Sequence, residues 1–167
     1  MAAPSPVPGG TRKAAERRRL REELVAFLGR WRWEWFLHLT FRGIVHPEEA
    51  DKRFRRFVER MNCDVYGPGW RERGCGFRWA RASEYQRRGT VHFHVFMAVV
   101  GKPRARTLRP QRWVNIWHQL AGRATIEPIR NPAAAPRCLL KDVLEEGELD
   151  FGGPADAADT CRVPNPE

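Results

Sequence analysis

Residues 77–99 read FRWARASEYQRRGTVHFHVFMAV and consist of two alternating segments around a short polar turn. Segment 90–99 carries apolar side chains at every second position, from Val91 to Val99, and segment 77–86 begins with the same alternation at Phe77 and Trp79, which is typical of half-buried strands. The turn, residues 87–89, ends in Gly89, and three-residue hairpin loops commonly end in a left-handed glycine. The stretch therefore predicts an antiparallel β-hairpin.

The register of this hairpin predicts a cluster of metal ligands on one face of the sheet. With a three-residue loop, Glu84 lies opposite His92 and His94 lies opposite Ala82, with paired Cβ atoms about 5 Å apart. Glu84, His92 and His94 then suit a divalent ion, with Mn²⁺ or Mg²⁺ preferred and Zn²⁺ or non-haem Fe²⁺ left open. A two-residue loop would move Glu84 to the other face, and a pair of histidines on a strand is also common among ordinary exposed residues. The opposite face carries a core-facing set: Trp79, Val91, Phe93, Val95 and Met97.

The segments around the hairpin predict further helices and strands. We expect helices over 11–30, from Pro47 onward, over 110–121 and over 136–146, strands over 32–42 and 124–130, and a loop over 62–76. This order predicts an α+β fold in which a central antiparallel sheet has its helices on one face, as in ferredoxin-like or RNA-recognition-motif domains.

The strand over 32–42 separates its side chains by alternation. Trp33, Trp35 and Leu37 fall on the predicted buried face. The other face carries Phe36, His38 and Thr40, and Arg42 follows in the same register.

The chain is organised as one domain between two tails. Residues 1–10 are rich in Pro, Ala and Gly and predict a disordered tail. Residues 11–146 form the predicted domain, which begins with a basic helix. Residues 147–167, with their prolines, glycines and acids, predict a loosely ordered tail.

The charge balance favours a polyanionic partner. Thirty Lys and Arg residues against twenty Asp and Glu give a formal net charge of +10. Most of the cations are arginines, which bind phosphates through two parallel hydrogen bonds, so nucleic acid is the expected partner. An arginine-rich composition inherited from a GC-rich genome is the alternative.

The cysteines and the hydropathy exclude several classes of protein. Cys63, Cys75, Cys138 and Cys161 form no C-x-x-C pair, which argues against a zinc finger and against a disulfide framework. No apolar run approaches the roughly 20 residues that a membrane span needs. These features predict a reduced, cytoplasmic protein without a membrane partner.

Three stretches resemble the motifs of the HUH superfamily of rolling-circle replication initiators, the Rep proteins of plasmids and phages, including gene II protein-like members. Residues 84–94, EYQRRGTVHFH, are similar to the family's motif 2, which reads roughly E-x-Q-x-R-G-x-x-H-F-H. Residues 36–42 resemble motif 1, an apolar strand ending in T-[LF]-T-[FY]. Residues 138–143 resemble motif 3, Y-[LV]-x-K-Y-[VL]. The resemblance spans about residues 32–146.

The resemblance implies metal-dependent nicking of single-stranded DNA at an origin hairpin. In such a reaction a divalent ion polarises the scissile phosphate, and a helix tyrosine becomes joined to the 5′ end. The 3′-OH then primes a host polymerase, and a helicase is a further expected partner. We expect six residues to contact DNA: Phe36, His38, Thr40, Arg42, Arg87 and Arg88.

The sequence departs from this family at the nucleophile. Cys138 stands where motif 3 has tyrosine, and Lys141 shares its helix side at i+3. Lys141 is the second expected catalytic residue, which would hold the phosphate or a charge in the site, with a solvated lysine as the alternative. The two tyrosines, Tyr66 in the predicted loop and Tyr85 on the face away from the ligands, do not suit the role. Cys138 is either a weakened nucleophile or a small packed residue.

Three functional hypotheses follow. The first is a metal-dependent nicking endonuclease, and the second is a non-catalytic protein of the same fold that binds single-stranded DNA or an origin. The third is an oxygenase built on a two-histidine, one-carboxylate iron site. The small number of strands and the basic charge argue against the third hypothesis.

Overall fold

The computed structural model describes residues 8–85, 89–103 and 108–154. Its elements are α1 (Pro8–Leu28), β1 (Trp35–Thr40), α2 (Pro47–Tyr66), β2 (Gly76–Tyr85), β3 (Val91–Val100), α3 (Pro110–Leu120), β4 (Ala124–Pro128), α4 (Ala135–Glu146) and β5 (Glu148–Gly152). Pro47 and Pro110 begin α2 and α3, at a position where a helix loses no hydrogen bond to the missing N–H.

The strands form one antiparallel sheet in the order β4-β1-β3-β2-β5. In the β2–β3 hairpin, Glu84 pairs with His92 and Ala82 pairs with His94, which confirms the predicted register. Gly89 has a φ of 75°, the left-handed conformation that a three-residue loop places at its last position. The predicted α+β class with a central antiparallel sheet is therefore confirmed.

The helices lie on both faces of the sheet, whereas the sequence predicted them on one. On one face, α2 and α3 bury the larger core, in which Phe54 and Trp117 pack against Phe93 and its neighbours. On the other face, α1 and α4 bury a smaller core around Phe96 and Leu139. The second pair of helices leaves the face that carries the histidines only partly open.

Strand β5 lies inside the segment predicted to be a loose tail, 147–167, and corrects that prediction. Gly152 suggested a loop, but a Cβ atom there would overlap the Trp79 indole, so glycine allows β5 to approach β2. Asp150 of β5 lies 3.2 Å from Arg81 of β2, a residue that is only 7% exposed. The burial of Arg81 depends on such carboxylate partners. Residues 155–167 lie outside the described part of the chain.

Three further boundaries differ from the prediction. Helix α1 begins at Pro8, inside the predicted disordered tail 1–10, of which residues 1–7 lie outside the description. Helix α2 continues to Tyr66, through residues assigned to a loop. Trp33 precedes β1 and packs in the smaller core, where its indole Nε1 donates to the Leu28 carbonyl at 2.9 Å.

Cys63 and Cys138 are free thiols, whereas Cys75 is disulfide-bonded, which corrects the expectation of a wholly reduced chain. Among the residues described, no helix is long and apolar enough to cross a membrane.

Candidate metal and nucleic-acid site

The face of the sheet beneath α1 and α4 carries its side chains in three cross-strand rows. Alternation along each strand and the observed register together define these rows. The first row is Glu127, Phe36, Phe96 and Ala80; the second is Thr125, His38, His94 and Ala82; the third is Thr40, His92 and Glu84. The predicted metal ligands thus share one face with three of the predicted DNA contacts.

Glu84 and the histidines of β3 are joined by a third histidine from β1. The carboxylate Oε2 of Glu84 lies 3.3 Å from the Nε2 atom of His94. The ring of His38 is stacked on that of His94 with centroids 4.7 Å apart, and it lies 5.5 Å from the ring of His92. The sequence predicted His38 as a DNA contact only. Its place among the candidate ligands depends on the pairing of β1 with β3, which the sequence pattern does not specify.

The environment of His38 favours a neutral imidazole. Burial lowers the pKa of His38, and the nearby His94 and His92 lower it further, against a smaller opposing effect of Glu84. Its Nε2 atom is buried and has no hydrogen-bond partner among the described residues. A neutral imidazole nitrogen with an uncommitted position is the form in which histidine binds a metal ion.

The donor set fits a divalent ion in its chemistry. Imidazole nitrogens and a carboxylate oxygen are the ligands expected at such a site, and the buried Nε2 of His38 is a polar atom that an ion would satisfy. Within the described residues, however, no group of three His, Cys, Asp or Glu side chains is arranged to hold a metal. The donors share a face without converging on one point.

A cavity of about 290 Å³ separates this cluster from α4. Glu84 and His94 form part of its wall on the sheet side, and Cys138 lines it from the helix. Lys141 is exposed, one turn along α4, and is not among the residues that line the cavity. Residue 138, and not residue 141, therefore faces the space beside the cluster.

Both tyrosines lie elsewhere. Tyr66 ends α2, and its buried hydroxyl donates to the Gly76 carbonyl at 3.1 Å. Tyr85 points to the opposite face of the sheet, where its hydroxyl lies 3.2 Å from a carboxylate oxygen of Glu148. Burial raises the pKa of both phenols, so neither position supplies a reactive phenolate to the histidine cluster.

A second cleft, of about 580 Å³, opens at the other end of the cluster. It is lined by Thr40, Arg42, His92 and Arg123, together with Phe41 and Gly122. The Arg42 guanidinium donates to the His118 carbonyl, which anchors it at the end of α3. Arg123 was missed from the sequence because the connection between α3 and β4 has no motif of its own. Arg87 and Arg88, the remaining predicted DNA contacts, lie outside the described residues.

Comparison with known proteins gives one match. The family of replication-associated proteins of the ORF2/gene II protein type matches residues 34–138, a span that contains β1, the hairpin and the first residues of α4. No curated protein and no solved structure matched the chain. The matched span covers well over half of the 167 residues and includes every member of the histidine cluster. The chain therefore belongs to the replication-associated protein ORF2/gene II protein family, a family of the rolling-circle initiator type.

Proposed function

We propose that this protein is a rolling-circle replication initiator that binds single-stranded DNA at an origin hairpin and nicks it with the help of a divalent ion. The observation that carries the proposal is the cavity in which Glu84 and His94 of the sheet meet Cys138 of α4. Family membership supports the replication role, and the side-chain chemistry of the cavity and the cleft supports the nicking site.

The residues that would hold the ion are Glu84, His92 and His94, with Mn²⁺ or Mg²⁺ as the preferred ions. An ion bound there would act as a Lewis acid on the scissile phosphate and help to position it. Ion binding would compete with the hydrogen bond between Glu84 and His94, because both use the same oxygen and nitrogen atoms. His38, stacked on His94, limits the directions in which that ring can turn.

Arginines beside the cluster would bind the DNA backbone. Arg42 and Arg123 both line the cleft that His92 shares, and a guanidinium recognises phosphate oxygens through paired hydrogen bonds. Phe36, on the far side of the histidines, offers an aromatic ring for base stacking. Arg87 and Arg88 belong to the same proposed DNA contacts, and a host polymerase or helicase remains a proposed partner.

Position 138 would supply the nucleophile. Attack on phosphorus forms a bond to the attacking atom and breaks the bond to the 3′ oxygen of the preceding nucleotide, which takes up a proton and leaves as a 3′-OH. Cys138 places a soft sulfur atom there, and sulfur is poorly matched to a phosphoryl centre. We therefore propose slow nicking, in which water then breaks the S–P bond, leaves a 5′-phosphate and regenerates the thiol, so that no covalent product accumulates. Lys141 is proposed only as a nearby positive charge.

The second candidate function is origin binding without cleavage. It is favoured by one observation: Tyr66 and Tyr85, the chain's two tyrosines, both lie away from the cavity. A protein of this kind would retain the DNA-binding residues. Its histidine cluster would then only bind a phosphate.

A nicking assay distinguishes the two functions. Oligonucleotides are first selected from a random single-stranded pool by binding to the full-length protein, then labelled and incubated with Mn²⁺. A shortened product that His92→Ala fails to form supports the endonuclease. Binding without any product, with the parent and with Cys138→Tyr, supports the non-catalytic protein. Failure to bind any single-stranded DNA would overturn both.

A further inference from the structure

The cavity beside the histidine cluster has two chemically different walls. Many of its lining residues are apolar, among them Phe36, Phe96 and Leu139, which belong to or pack against the smaller core. Its rim is polar and includes Glu127 and Asn131. With a volume of about 290 Å³, it is close to the lower end of ligand pockets, which run from roughly 300 to 1,000 Å³. One planar ring system therefore suits it better than an extended ligand.

The aromatic wall offers a surface for stacking. The ring of Phe36 contacts the ring of Phe96, with centroids 5.6 Å apart, and the ring of His94, at 6.0 Å. Any base has a face that can stack on such a ring. Glu84 and His94 line the same cavity. A ring bound in the cavity would therefore be next to the position proposed for the phosphate.

The polar rim has a defined preference for hydrogen bonds. Glu127 pairs with Phe36 in the sheet register, so its side chain lies on the cavity side, and its ionised carboxylate only accepts hydrogen bonds. The Oδ1 atom of Asn131 accepts from the Ala134 N–H at 3.4 Å, which leaves the Nδ2 amide as the group to donate to a ligand. The rim thus combines an acceptor with a donor.

We propose that this cavity binds one base of the single-stranded DNA, turned out of the strand beside the phosphate at the cluster, and that Glu127 selects a base with an exocyclic amino group. The inference rests on the proposed function, since the strand must cross the cluster. Adenine, cytosine and guanine offer an amino group to the carboxylate and a ring or carbonyl acceptor to the amide. Thymine has a single ring N–H between two carbonyl oxygens that repel a carboxylate, so it is disfavoured.

The test compares single-stranded dT12 with oligonucleotides of equal length that carry one central dA, dC or dG. Binding to the full-length parent is followed by fluorescence anisotropy with EDTA present, so that cleavage does not interfere. At least one substituted strand is expected to bind about tenfold more tightly than dT12, because a paired contact to a base edge discriminates by roughly that factor or more. The Glu127→Gln variant is expected to bind that strand and dT12 within about twofold of each other.

Glu72→Gln is the matched control, because it removes the same charge from an exposed site in the loop after α2 and should keep the parent's preference. Equal binding of all strands by the parent, or a preference that survives in Glu127→Gln, overturns the base subsite. Displacement of the strand by the free deoxynucleoside monophosphate at similar concentrations also overturns it, since the cavity would then bind free nucleotides. Failure of every strand to bind instead overturns the proposed function itself, so the two failures are distinct.

Discussion

Glu84 and His94 contact each other diagonally across β2 and β3, with Oε2 and Nε2 3.3 Å apart, although the register pairs Glu84 with His92. The Glu84 carboxylate therefore points past its register partner, His92, toward His94 and the cavity that Cys138 lines. His92 faces the other way, into the arginine-lined cleft. The cluster thus stands between an apolar cavity and a basic cleft, which is the arrangement expected of a site that holds a phosphate between a base and the continuing backbone.

The first prediction concerns the metal. His92→Ala should weaken Mn²⁺ binding by at least about tenfold. Removing a direct ligand should lower the metal affinity more than removing a group that only hydrogen-bonds to a ligand. Isothermal titration calorimetry measures this directly. His118→Ala, which removes an exposed histidine at the end of α3, should bind Mn²⁺ as the parent does. Equal affinities of the parent and His92→Ala would contradict the proposed ligand set.

The second prediction concerns the basic cleft. Binding of single-stranded DNA should weaken steeply with salt, and Arg123→Ala should reduce the slope of log K against log salt by about 0.7 for a single lost phosphate contact. Arg42→Ala should act similarly. Arg71→Ala is the control, since Arg71 pairs with Glu59 at 3.0 Å and lies outside the cleft. A slope that is the same in all four proteins would show that the cleft does not contact phosphates.

The third prediction concerns the nucleophile. The parent should form no lasting covalent adduct with DNA, whereas Cys138→Tyr should restore or greatly increase nicking. The cavity beside residue 138 gives the ring room to reach toward Glu84 and His94. Its phenol, with an ordinary pKa of about 10, is a harder nucleophile once a nearby cation favours the phenolate. The readout is a slowly migrating protein–DNA species on a denaturing gel with Mn²⁺.

Cys63→Tyr makes the same change at another free thiol, on α2, and should remain inert. Adduct formation by the parent that Cys138→Ser abolishes would show a lasting bond between Cys138 and DNA and would contradict this prediction. If Cys138→Tyr stays inert while metal and DNA still bind, the binding protein without cleavage becomes the better account.

The fourth prediction concerns the ion pair between Asp51 of α2 and the buried Arg81 of β2, whose charged atoms lie 2.9 Å apart. Burial alone would raise the pKa of Asp51, but hydrogen bonds from Arg55 and Arg81 outweigh it, and the pKa lies below its ordinary value of 3.8. A carboxyl group whose pKa is lowered by folding stabilises the fold above its unfolded pKa, and this stabilisation is lost as the pH falls through the folded pKa. Asp51→Asn should therefore lower the free energy of unfolding at pH 7 by about 2 kcal/mol, the size of a hydrogen bond to a charged group.

Urea unfolding at a series of pH values measures this difference, which should shrink as the pH falls below about 3.8. Glu59→Gln, at an exposed ion pair on the same helix, should change stability by less than about 1 kcal/mol. A difference for Asp51→Asn that stays constant from pH 7 to about pH 3 would exclude the ion pair as its cause.

The local elements of this protein could be predicted from the sequence because their signals are local. Alternation in β3 and a three-residue loop ending at Gly89 predict that Glu84 pairs with His92, and the observed register confirms this pairing. Pro47 and Pro110 mark helix starts in the same way. Strand β5 was not predicted because Gly152 suggests a loop. The structure shows why a glycine is needed there, since the Trp79 indole packs where a Cβ atom would lie.

The composition of the site depended on contacts between distant parts of the chain. The sequence by itself determined the hairpin, and with a three-residue loop it placed Glu84, His92 and His94 on one face of the sheet. The tertiary structure alone decided that His38 joins them, that Arg123 borders the cleft, and that α4 brings Cys138 to the cavity. The physical reason is that alternation assigns a side chain to a face of its own strand, whereas the neighbour it meets there is chosen by strand order and helix packing, which depend on burial of the whole core.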